Sequence, residues 1–113
     1  MTRYEPGDVL LLAYPFTSGA DKKQRPALVV LDTGDDDVVV ARITTQLQAS
    51  PFHVPMDRWN QAGLLAPSVI RTHKLATIEK SLVVRRLGRL EERDQQAFWT
   101  AFRRFYCPSP GNP

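Results

Sequence analysis

The stretch Pro26-Ala-Leu-Val-Val-Leu-Asp-Thr-Gly-Asp-Asp-Asp-Val-Val-Val-Ala-Arg-Ile-Thr-Thr45 decides the fold. Two apolar runs flank the acidic connection Asp32–Asp37. Their β-branched side chains are stiff at χ1 and pack well on a pleated surface, so both runs read as strands. Asp, Thr and Gly between them favour a turn, so the acidic cluster is a hairpin tip. Working outward, Asp8–Phe16 is another strand-like run, stopped at Pro15, and Thr17–Gln24 reads as a loop. Phe52–Met56 is a short strand interrupted by Pro55, suited to a sheet edge. Asp57–Gly63 fits a single helical turn closed by glycine, and Pro67–Ile78 alternates like a strand. Leu82–Leu90 is a last strand with a bulge expected at Gly88.

The chain then changes period. Glu91–Tyr106 carries apolar residues at 97, 98, 101, 102 and 105, one stripe of an amphipathic helix. Glu91, Glu92 and Asp94 sit at its positive end and Arg103-Arg104 at its negative end, which suits the helix dipole. Strands with no helices between them lack the crossovers of a parallel sheet. The expectation is a mainly β fold: a small, bent antiparallel barrel of five or six strands closed by one C-terminal helix. Residues 1–106 form one domain in this reading, and 107–113, rich in Pro and Gly, form a disordered tail.

The 113 residues suffice for one modest core. No apolar run approaches the ~20 residues that span a bilayer, and the first residues lack a secretory apolar core. The single cysteine, Cys107, rules out an intrachain disulfide framework and makes a reducing cytoplasm the expected location. Net charge is +3, and eleven of the fifteen basic residues are arginine. The acids gather at the hairpin tip and the helix start, so the remaining surface is more basic than the total suggests and favours an anionic partner.

His53 and His73 stand on different strands, and no cysteine or acidic pair has metal-ligand spacing, so neither a metal nor another cofactor is expected. Glycine-rich phosphate loops and nucleophile elbows are absent as well. Basic and hydroxyl groups at strand ends remain. Pro26 pushes Arg25 toward an extended backbone and so fixes a cation at the mouth of a strand. Thr44-Thr45-Gln46 end the next strand, and Arg71-Thr72-His73-Lys74 lie on a later one. Taken singly, each reads as a solvated strand face or loop junction. Together they suit a phosphodiester, with arginine neutralising oxygens and hydroxyls donating to them. If the ester is RNA, its own 2′-hydroxyl is a ready nucleophile, and His73 is a candidate proton shuttle.

Gly7-Asp8-Val9, Gln24-Arg-Pro-Ala-Leu-Val-Val30, Ala41-Arg-Ile-Thr-Thr-Gln46, Ser68-Val-Ile-Arg…Leu75-Ala-Thr-Ile-Glu-Lys80 and Arg86-Leu-Gly-Arg-Leu90 resemble, in order, the MazF/PemK-like toxins. The resemblance covers roughly residues 5 to 106. It implies an SH3-like barrel and a homodimer that cleaves single-stranded RNA without a metal, as an mRNA interferase. It also implies a cognate antitoxin that occupies the RNA groove, and DNA contact only through that antitoxin. Matching positions give Arg25 and Thr44 catalytic roles. One branch of the family adds an arginine followed two residues on by aspartate: Arg71 matches, but His73 replaces the aspartate. The site expected on this basis has Arg25, Thr44, Arg71 and His73 as catalytic residues, with Thr17, Ser18, Lys22, Lys23, Thr45, Gln46 and Lys74 along the RNA. Tyr14–Lys23 carries the Pro-Phe-Thr form of a less studied subgroup. A related fold poisons DNA gyrase, so a non-catalytic growth inhibitor or a nucleic-acid- or protein-binding module is the alternative.

Overall fold

The computed structural model describes residues 2–15 and 22–107. Six strands form one sheet: β1 (Asp8–Pro15), β2 (Lys22–Asp32), β3 (Asp37–Thr44), β4 (His53–Pro55), β5 (Val69–Glu79) and β6 (Val83–Arg89). Their order is β4-β5-β3-β2-β1-β6, and every neighbouring pair is antiparallel. A 3₁₀ turn (Lys80–Leu82) joins β5 to β6, and helix α1 (Glu92–Tyr106) follows. The barrel is open: β4 and β6 are its two edges. At three residues, between Pro51 and Met56 and ending in Pro55, β4 offers too few backbone donors to close the sheet.

The structure differs from the sequence expectation in two places. Lys22–Gln24, expected in a loop, extend β2, because they pair with Pro15, Tyr14 and Ala13 of β1. Tertiary pairing here overrides the weak strand preference of Lys and Gln. In the helix, Ala97 faces out, and the half-buried Trp99 packs on the core beside Phe98, Ala101 and Phe102. Glu91 caps α1, its side chain accepting from the Arg93 N–H at 2.9 Å. The expected bulge is present, since Val9 pairs with Gly88 and Leu10 with Arg86.

The sheet has a core on each face. One, under α1, contains Val9, Leu28, Ala41, Ile43, Ile70, Leu90 and Phe98. Phe98 is wholly buried there, and its truncation to alanine should cost about 3–5 kcal/mol. The other face is apolar over only part of its length, at Leu10, Leu12, Ala27, Val29, Val38, Val40 and Ile78. The 57–63 turn lies against β6 so closely that a Cβ on Gly63 would come 2.2 Å from the Leu87 carbonyl oxygen. Buried Asp94 of α1 fixes the start of that turn, accepting from the Asp57 N–H at 3.1 Å and the Arg58 N–H at 2.9 Å.

Candidate functional site

Side chains of directly paired residues share a sheet face, and those two apart on one strand share it too. Leu12, Ala27, Val29 and Val40 mark the second core's face. Arg25 pairs with Leu12 and is two residues from Ala27, so it extends this face beyond the core. Lys23, two further on, continues it. Arg42 pairs with Ala27 on one side and with Arg71 on the other, and Arg71 pairs with His53. Thr44 follows Arg42 by two, and the β2–β3 register continued by two residues sets Arg25 opposite Thr44. The alternation of three strands thus places Arg25, Arg42, Thr44 and Arg71 together at one end of one face. Two strand spacings, about 10 Å, separate the β2 and β5 backbones, a gap that facing arginine side chains span around one ligand.

Arg25 is exposed, whereas Arg42, Thr44 and Arg71 are half-buried. The Arg71 Nε is buried without a hydrogen-bond partner among the described residues. A donor in that state costs free energy unless a ligand or water satisfies it. Thr44 Oγ1 accepts from the Gln46 N–H at 3.1 Å, which orients the hydroxyl and leaves its proton to donate. The arrangement is a donor-rich concentration of positive charge suited to a phosphate.

The other expected residues are spread more widely. His73 lies where β5 departs from regular pairing, between the Arg42–Arg71 and Ala41–Leu75 pairs. Its ring sits 5.0 Å from Phe52 and 5.9 Å from His53, and Phe52 in turn meets Phe105 of α1 at 4.8 Å. Desolvation among these rings, and then the charges of Arg71, Lys74 and His53, push its pKa below the ordinary value. His73 therefore belongs to an aromatic cluster at the β4–β5 edge that also feels the charge of Arg71. Thr45 and Gln46 are exposed just past the end of β3, and Lys74 is exposed in the middle of β5. Lys22 is at the start of β2, and Thr17 and Ser18 lie outside the described residues. Arg42 was not among the expected site residues. Its signal was a single arginine two before Thr44 in an otherwise apolar strand. Among the described residues, no group of three or more His, Cys, Asp or Glu comes together to hold a metal ion. No helix among them is long and apolar enough to cross a membrane.

Comparison with known proteins bears on the fold and the family. The structure is similar to the Mycobacterium tuberculosis toxin MazF-mt6, with a TM-score of 0.73 at 24% identity over 93% of this chain and 99% of that one. An endoribonuclease in complex with its cognate antitoxin, from a mycobacterial species, gives 0.74 at 22% identity, covering 96% of this chain and all of the other. MazE–MazF from Deinococcus radiodurans gives 0.76 at 14% identity, covering 94% and 98% of the two chains. At these identities the likeness is one of fold. A search of the curated proteins finds no match. The family model for the PemK-like, MazF-like toxins of type II toxin–antitoxin systems matches residues 5–106, nearly the whole chain, and the chain belongs to that family.

Proposed function

We propose that the protein is a toxin that acts as an endoribonuclease on single-stranded RNA, with its active site at the arginine-lined end of the sheet. The observation that carries this reading is the convergence of Arg25, Arg42, Thr44 and Arg71 on one face. The RNA 2′-oxygen attacks phosphorus while the bond to the 5′-oxygen breaks, leaving a 2′,3′-cyclic phosphate and a 5′-hydroxyl. The 2′-hydroxyl proton passes to water, and the 5′-oxygen takes one up. Arg25 stabilises the extra negative charge of the phosphorane, and Thr44 donates to a non-bridging oxygen. Arg42 and Arg71 neutralise the phosphate in the ground state as well, so they act mainly on binding. Lys23, on the same face, follows the backbone of the strand. The chemistry needs no metal, because the nucleophile is part of the substrate and the arginines supply the charge stabilisation.

The same reading includes a homodimer and a cognate antitoxin whose acidic segment covers the cationic face. Two structures of this fold, the mycobacterial endoribonuclease and the Deinococcus MazF, each hold an antitoxin. The test is to incubate purified native and Arg25→Ala protein with assorted single-stranded RNAs in EDTA and map new 5′-hydroxyl ends. Discrete cuts by the native protein that disappear in Arg25→Ala support the reading. Intact RNA with both proteins overturns it.

A further inference from the structure

Beside Thr44 the structure opens a cleft of about 480 Å³, lined by Gln48, His53, Trp59 and Val69 among others. That volume lies in the range of about 300–1,000 Å³ typical of small-ligand sites. The cleft adjoins the phosphate-binding end directly. Val69 is the pairing partner of Thr44, and the segment that leaves β3 after Thr44 forms one wall. Two flat rings line it, and both are held in place. His53 Nδ1 lies 3.0 Å from the Gln48 carbonyl oxygen. A carbonyl only accepts, so the hydrogen is on Nδ1, and Nε2 of the neutral ring is a hydrogen-bond acceptor. Trp59 is half-buried on the turn that Asp94 anchors through the Asp57 and Arg58 amides. Rigid rings beside an acceptor suit a flat ligand with apolar faces and a polar edge.

We infer that this cleft holds a nucleobase of the RNA strand, one nucleotide away from the phosphate bound at Arg25 and Thr44, and so contributes to the choice of cleavage site. Single-stranded RNA is read by unstacked bases seated on aromatic rings and hydrogen-bonded along their edges. His53 and Trp59 provide the rings, and His53 Nε2 reads a donor on the base edge. The inference rests on the ribonuclease reading for its substrate. It differs from that reading in assigning a site and residues that the phosphate chemistry does not use.

The experiment is an abasic scan. Oligoribonucleotides containing one abasic nucleotide at each position in turn are offered to native, His53→Ala and Trp59→Phe protein for cleavage. The same series is offered to Arg25→Ala protein for binding. The native enzyme should lose about tenfold in kcat/KM when the abasic nucleotide falls at one position next to the cut, the scale of one lost base stack. His53→Ala should cut intact RNA about tenfold less well and be indifferent to the abasic nucleotide there. Should His53→Ala fail to fold, the native scan and Trp59→Phe decide alone. A flat native scan with normal cleavage overturns this inference and leaves the ribonuclease reading standing. Binding that keeps the position effect, with no cleavage by any form, overturns the ribonuclease reading and keeps the cleft. Neither binding nor cleavage overturns both.

Discussion

At the hairpin end of the second sheet face, Lys80 Nζ lies 2.9 Å from Asp32 Oδ1, and the Asp32 side chain is 1% exposed. Asp32 also accepts from the Tyr4 and Gly34 amides, both at 2.7 Å. At the opposite end of the same face, three arginines and a threonine gather on adjacent strands. Between the two lies the apolar core of Leu10, Leu12, Val29 and Val40. Charge at the first end is saturated by neighbours, so it contributes to stability. At the second end like charges converge and the Arg71 Nε is buried without a hydrogen-bond partner among the described residues, which costs stability and suits a ligand. The contrast separates an end built to hold the fold from an end suited to an anionic ligand along a single sheet.

Substitutions at the two ends should therefore fail in different ways. Arg25→Ala should lower kcat about 10²–10³-fold, the scale of one lost charge-stabilising donor, while the melting temperature stays within about 2 °C of native. A melting temperature that falls with activity would erase the distinction. Asp32→Ala should do the reverse: lose about 3 kcal/mol of stability by leaving the largely buried Lys80 ammonium without its carboxylate, with cleavage per folded molecule unchanged. Urea denaturation alongside a cleavage assay reads both.

Acid should reproduce that loss. The Tyr4 amide above all, then the Gly34 amide and Lys80, outweigh burial and hold the Asp32 pKa down to about 2. Because the folded value lies below the ordinary one, the stabilisation is complete above about pH 4 and is lost as pH falls toward 2. Native protein should show this decline in a pH series of urea midpoints, and Asp32→Ala should lack it. Thr44→Val should cut cleavage about tenfold, one hydrogen bond to a charged oxygen, without loss of fold. Smallest of all, His73→Ala should change cleavage less than about threefold, the scale of an aromatic contact at the sheet edge. A loss above 10²-fold there, with a changed pH profile, would return His73 to the proton-transfer role that its sequence position suggests.

Most of the fold was legible because its signals are local. The β-branched runs of β2 and β3, the acidic hairpin tip, the short proline-bounded β4 and the helical period after Glu91 each carry their own periodicity or turn chemistry. The site was legible only as separate residues. Arg25 could be singled out because Pro26 stiffens its backbone, and Thr44 and Arg71 because they end or begin strands. What joined them was the order β5-β3-β2, which depends on pairing partners far apart in sequence. Arg42 was missed for the same reason: its partners, Ala27 and Arg71, lie 15 and 29 residues away. Arg71 and His73 stand two residues apart in sequence, yet irregular pairing sets the His73 ring against Phe52, a placement that no local pattern announces.

In the proposed reaction the cationic end supplies charge and the nucleophile belongs to the RNA. The most direct measurement takes an oligoribonucleotide with one mapped cut and replaces the single ribose before the scissile phosphate with 2′-deoxyribose. Cleavage at that phosphate should vanish, the strand should still bind, and the all-ribose control should end in a 2′,3′-cyclic phosphate. Equal cleavage of the deoxy-substituted strand would contradict the account.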